Sequence, residues 1–244
     1  MAIGPDNRFS LRTARMTSAQ ADAADIDVGL RAYMLQVYNY MASGLALTGI
    51  VAYLVTQSET AMQVIFGSPL MWVAMLAPLG MVLFLSSRIH HIQARTAQTL
   101  FWVYAGLMGV SMATIFLAYT GTSIARVFFI TAGTFAAMSL YGYTTKRDLS
   151  KFSGFLMMGL IGIIIASVVN MFMQSSALQF GISVIGVLVF VGLTAYDTQA
   201  IRNMYNELDD SETHGKKAIM GALRLYLDFI NLFVMLLHIF GERR

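Results

Sequence analysis

Seven runs of mainly apolar residues, each about the ~20 residues that carry a helix across a ~30 Å hydrocarbon core, divide this chain of 244 residues. They lie near 33–56, 69–87, 97–119, 123–142, 153–173, 178–201 and 218–240. In lipid every backbone polar group must be satisfied within its own segment, so runs of this length fold as helices. The expected fold class is therefore an all-α polytopic membrane protein with seven transmembrane helices. Composition agrees, with 57% hydrophobic and only 12% charged residues where a soluble domain carries about 25% charged. The connections at 120–122 and 174–177 are short enough to force neighbouring helices antiparallel. The spans leave no room for a separate soluble domain, so the expected organisation is a polar tail over 1–30 and one transmembrane domain over 31–244.

The chain has no cysteine, which excludes disulfides and thiolate metal sites. Its net charge of +3 reports topology rather than nucleic-acid binding, because the cations sit in short loops beside apolar spans. The tail carries Arg8, Arg12, Arg15 and Arg31, and the second, fourth and sixth loops carry Arg88, Arg95, Lys146, Arg147, Lys151, Arg202, Lys216 and Lys217. The first, third and fifth loops have essentially none, Arg126 lying just inside the fourth span. The positive-inside rule places the N-terminus in the cytoplasm and, with an odd number of spans, the C-terminus outside. Arg243 and Arg244 oppose this, and a re-entrant last segment returning "GERR" to the cytoplasm is the alternative. Residues 1–30 are polar, with no apolar signal core and no cleavage site, and read as a cytoplasmic tail, disordered over roughly 1–25.

Small residues recur at packing intervals, as in Gly106 with Gly109, Gly154 with Gly159 and Gly162, and Gly181 with Gly186, and predict close helix contacts. Ionisable residues inside the spans are few: Asp197 in "GLTAYDTQAIRN", Arg224 and Asp228 in "LRLYLDFINLFVMLLHIF", Arg88 at the end of the second span, Arg126 and His238. A charge at the bilayer centre costs about 2.5–3.5 kcal/mol on insertion scales, so such residues face the bundle interior or water and have a partner. Asp197 lies near the cytoplasmic end of the sixth span and Asp228 about ten residues into the seventh. Their depths differ by about 10 Å at 1.5 Å per residue, a gap that helix tilt reduces. Two carboxyls that meet there would share a proton and titrate as a unit. Arg224, four residues before Asp228 on the same face, offers the plainer alternative of an ion pair within one helix. The loop "NELDDSETHGKK" at 206–217, with Glu207, Asp209, Asp210 and Glu212, lacks the calcium-loop pattern of an EF-hand and reads as solvated.

Three stretches in order, "MSLYGYTTKRDLS" at 138–150, "AYDTQ" at 195–199 and "RLYLDFINLF" at 224–233, make the chain resemble the Bax inhibitor-1 family. This family is also called the transmembrane BAX inhibitor motif family, and the closest likeness is to its bacterial YccA/YbhL-like members. The resemblance covers nearly everything after residue 30. It implies a seven-helix fold with the C-terminal helix central and wrapped by the other six, in the bacterial inner membrane. It also implies a pH-sensitive calcium leak, in which the paired aspartates match Asp197 and Asp228. The family's arginine latch matches Arg88 in "FLSSRIHHI". Two carboxylates are too few for a tight calcium site, which takes six to eight oxygens, so weak, partly hydrated calcium binding at Asp197 and Asp228 is expected.

The competing reading is a membrane-embedded regulator that binds a membrane quality-control protease or another membrane protein, since some bacterial relatives are linked to such control. A transporter would depend on the aspartates; a regulator would depend on the tail. Helix-borne Ser–His and paired G-x-G-D aspartyl signatures are missing, so neither enzyme activity nor a cofactor is expected.

Overall fold

The computed structural model describes residues 18–244, with side chains from residue 28 onward. Helices are α1 (Ser18–Gln57), α2 (Glu59–Phe66), α3 (Leu70–Arg88), α4 (Ala94–Ala118), α5 (Gly121–Thr144), α6 (Ser153–Met173), α7 (Ser176–Asn203) and α8 (Ser211–Phe240). A 3-10 turn, Leu149–Phe152, precedes α6. Seven of these helices are long and apolar enough to cross a membrane, as the hydropathy pattern requires. The short α2 sits in the first loop, where no helix was expected; Ser58 caps it by accepting from the Ala61 amide at 3.2 Å.

Two helix starts differ from the sequence reading for one physical reason. Hydropathy marks where a helix enters lipid, whereas a helix continues into water wherever propensity and caps allow. α1 begins at Ser18 instead of near 33, because Ala19, Ala21, Ala23 and Ala24 are strong helix formers. Residues 18–30, expected in the tail, are thus helical, and the remainder of the tail, 1–17, lies outside the described residues. α8 begins at Ser211 instead of near 218, so half of the acidic loop forms its first two turns.

Asp210 caps α8 by accepting from the Thr213 amide at 3.1 Å. Hydrogen bonds from the Thr213 side chain and backbone hold its carboxyl below the usual carboxylate range. The cap's stability is therefore complete above the ordinary Asp value near 3.9 and is lost only as pH falls through the lower folded value. It is constant over pH 5–8. Glu212, in the first turn, accepts from the Ala94 amide at 2.7 Å and pairs with Lys216 at 3.2 Å. A carboxylate of α8 thereby satisfies the positive N-terminal end of α4.

The last helix is the most buried: 61% of its spanning window is inside the protein, against 11% for α6. α8 packs chiefly on α7, α1, α5 and α4, while α3 lies outside on α4 and α6 outside on α7. Large apolar side chains such as Trp72, Phe172 and Leu188 point outward, as a lipid-facing surface requires. Of the small residues expected at contacts, Gly109 approaches Val51, Gly159 approaches Val189 and Gly186 approaches Met235, whereas Gly106, Gly154, Gly162 and Gly181 face open space.

α8 is continuous for 30 residues, about 45 Å, and is not re-entrant. Its end is held at the α4–α5 turn, opposite its start. There the Thr120 amide donates to the Glu242 carbonyl at 3.0 Å, the Arg244 amide donates to the Ala118 carbonyl at 3.1 Å, and Arg126 pairs with Glu242 at 3.1 Å. The alternative that returned "GERR" to the side of the N-terminus is overturned.

α5 meets α7 most closely at Gly142, where any Cβ would collide with the backbone carbonyl of Ala195. Gly142→Ala is expected to lower stability by about 1–3 kcal/mol through overpacking. Gly133→Ala, with nothing within 4 Å, is expected to be neutral or stabilising by up to about 1 kcal/mol. Thermal unfolding in detergent compares the two; equal effects would show that the α5–α7 contact is not tight.

Candidate functional site

Small residues set the register of the antiparallel pair α7 and α8. A Cβ at Gly221 would lie 3.0 Å from Ile201 Cγ2, and one at Gly186 would lie 2.9 Å from Met235. Lys217 Nζ also donates to the Met204 carbonyl at 3.0 Å. Together these contacts put residue 197 level with residue 224, and residue 228 one turn, about 6 Å, further along. Helical side chains lean toward their own N-terminus. Since the helices are antiparallel, Asp228 leans back toward Asp197 and Asp197 leans forward toward Asp228. The offset closes, and the two carboxyls lie within hydrogen-bonding reach of each other.

The same register decides the arginine. Level with Asp197, Arg224 places Nη1 3.8 Å from Asp197 Oδ1, so its ion pair crosses between helices. Asp228 is 5% exposed, and its Oδ2 has no hydrogen-bond partner. An orphaned buried carboxyl oxygen is rare, and a proton or a cation between two carboxyls satisfies it. Among the described residues no group of three or more His, Cys, Asp or Glu could hold a metal ion.

Arg88 ends α3 with an exposed side chain. Because α3 belongs to the outer layer on α4, no ion pair among the described residues joins Arg88 to either aspartate. The expected latch is not made in this conformation. His238, at the far end of α8, meets Gln179 Nε2 at 3.1 Å, and Gln179 in turn accepts from Asn170 at 3.0 Å.

Around the pair the structure assigns roles that the motifs contained but did not reveal. Thr198, beside Asp197, shares a hydrogen bond with Ser139 at 3.1 Å. Gln199 accepts from the Leu149 amide and donates to the Arg147 carbonyl, both at 2.8 Å. "AYDTQ" and "MSLYGYTTKRDLS" are thus two halves of one contact, in which α7 is clamped to the end of α5 and the following loop. On the other side of α8, Tyr226 meets Thr48 at 2.6 Å, and Thr48 donates to the Ala105 carbonyl at 2.8 Å. At the basic-loop end, Tyr33 of α1 packs against His214, ring centroids 4.9 Å apart, and against Tyr205 at 5.7 Å.

Seven spanning helices with carboxyls paired on the last two define a polytopic membrane protein with an acidic site inside its bundle. Residues 30–244 match the family described as "Inhibitor of apoptosis-promoting Bax1". The chain is 50% identical over 219 residues to the inner membrane protein YbhL of Escherichia coli, covering 88% of this chain and 94% of that one. It is 51% identical over 218 residues to the uncharacterized protein RP147 of Rickettsia prowazekii, covering 89% and 92%. An uncharacterized protein of Caulobacter vibrioides is 43% identical across 98% of this chain and 99% of its own length. The chain belongs to the Bax inhibitor-1 family and is a homologue of YbhL.

Contact between the carboxyls makes their energetics non-additive. Asp197→Asn, Asp228→Asn and the double variant are expected to show an interaction energy of about 0.5–3 kcal/mol in a thermal-unfolding cycle at pH 7. Additive changes would mean that the two groups act independently.

Proposed function

We propose that the protein is a pH-sensitive cation leak of the bacterial inner membrane, with calcium among its substrates and a proton shared by Asp197 and Asp228 as its control. The observation that carries this reading is the side-by-side placement of two carboxyls inside the bundle, with Asp228 Oδ2 unpartnered. When the pair holds its proton, it has less charge to offer a cation. When it loses the proton, a free carboxylate attracts one. Arg224 on Asp197 acts as a built-in competitor for the same oxygens. Two carboxylates supply too few oxygens for tight calcium binding, and weak binding suits conduction.

On this reading the protein is a transport protein, not an enzyme, and needs no cofactor. The crowding of lysines and arginines at the end where α7 meets α8 supports a cytoplasmic N-terminus.

The test is calcium flux in proteoliposomes between pH 5 and 8. The native protein is expected to change its flux several-fold across this range, and Asp228→Asn is expected to be flat. The Asp210 cap does not titrate there, so it contributes no slope of its own. An identical, pH-independent leak in both proteins would sink the aspartate pair as the control, and partner capture dependent on residues 1–17 would then favour the regulator.

A further inference from the structure

α1 and α5 both flank α8 without packing firmly on one another. Between them runs an open-sided crevice of about 680 Å³, inside the ~300–1,000 Å³ range of ligand pockets. Its floor is Phe229 of α8, beside Phe128 and Phe135 of α5. Along α1 it extends from Arg31 to Ala46, about 22 Å at 1.5 Å per residue, more than the ~15 Å of one leaflet's hydrocarbon. At its rim Leu35 and Leu140 are 53% and 63% exposed, so it opens sideways toward lipid.

The chemistry of the crevice is graded. Deep in, its walls are apolar; at the basic-loop end they carry Arg31, Ser139 and Tyr143. Just past Tyr143 come the exposed Lys146 and Arg147. A long apolar slot with cations at one end complements an acyl chain joined to an anionic head. Basic pockets between transmembrane helices bind anionic head groups, each nearby cation contributing about 1 kcal/mol.

We propose that this crevice is a phospholipid site, with one acyl chain lying along α1 and α5 against Phe229 and the phosphodiester at Arg31, and with Lys146 and Arg147 favouring anionic lipids. The site is separate from the aspartate pair, and its occupancy is measured without flux, so the two readings fail independently.

Native mass spectrometry of the full chain in detergent, titrated with dioleoyl phosphatidylglycerol or dioleoyl phosphatidylcholine, tests it. One lipid is expected to bind with a clear preference for phosphatidylglycerol. Ala136→Phe, which fills the crevice from its exposed side, is expected to lose that lipid. Arg31→Gln, an exposed position that leaves the bundle intact, is expected to retain the lipid and weaken the head-group preference about five-fold, the equivalent of one juxtamembrane cation. Equal lipid binding in the native protein and both variants would overturn the proposal, as would the absence of a head-group preference. A dimer lost in Ala136→Phe would assign the crevice to a second copy and also overturn it.

Discussion

The antiparallel contact between α7 and α8 organises the rest of the molecule. Without a hydrophobic force between helices in lipid, close packing of backbones is what holds them, and Gly186 and Gly221 allow that approach. The register they impose decides which polar groups meet. A shift of one turn would set Asp228 level with Asp197 and carry Arg224 away from it. In the register observed, one carboxyl is paired with the guanidinium and the other is left to its neighbour.

A buried acidic pair tends to push its helices apart unless they are restrained elsewhere. Here restraint comes from several sides: Gln199 and Thr198 tie α7 to the end of α5, Tyr226 ties α8 to α1 through Thr48, and the C-terminal residues bind α8 to the α4–α5 turn. α3 has no comparable tie to α8 and lies in the outer layer. Arg88 accordingly makes no ion pair with either aspartate among the described residues, whereas Arg224, carried on α8 itself, lies 3.8 Å from Asp197.

The seven spans, the presence of Asp197 and Asp228 inside the last two of them and the family likeness were all legible in the sequence, because each depends on local composition or short motifs. The start of α8 was not. "NELDDSETHGKK" is polar throughout, and only the Asp210 cap and the link from Glu212 to Ala94 reveal that its second half is helix. The true partner of Arg224 was equally hidden. Spacing of four residues favours Asp228, but the contact with Asp197 follows from the relative axial position of two helices, which no single helix encodes.

By itself the sequence determined that this chain crosses a membrane seven times and carries two acids where lipid penalises charge. Those properties follow from transfer free energies of individual residues and are additive along the chain. Only the tertiary structure decided that the acids lean toward each other, that Arg224 serves Asp197 and not Asp228, and that α1 and α5 leave a slot between them. These depend on how far one helix can slide along another before backbone and side chain collide, a constraint set by packing across the bundle.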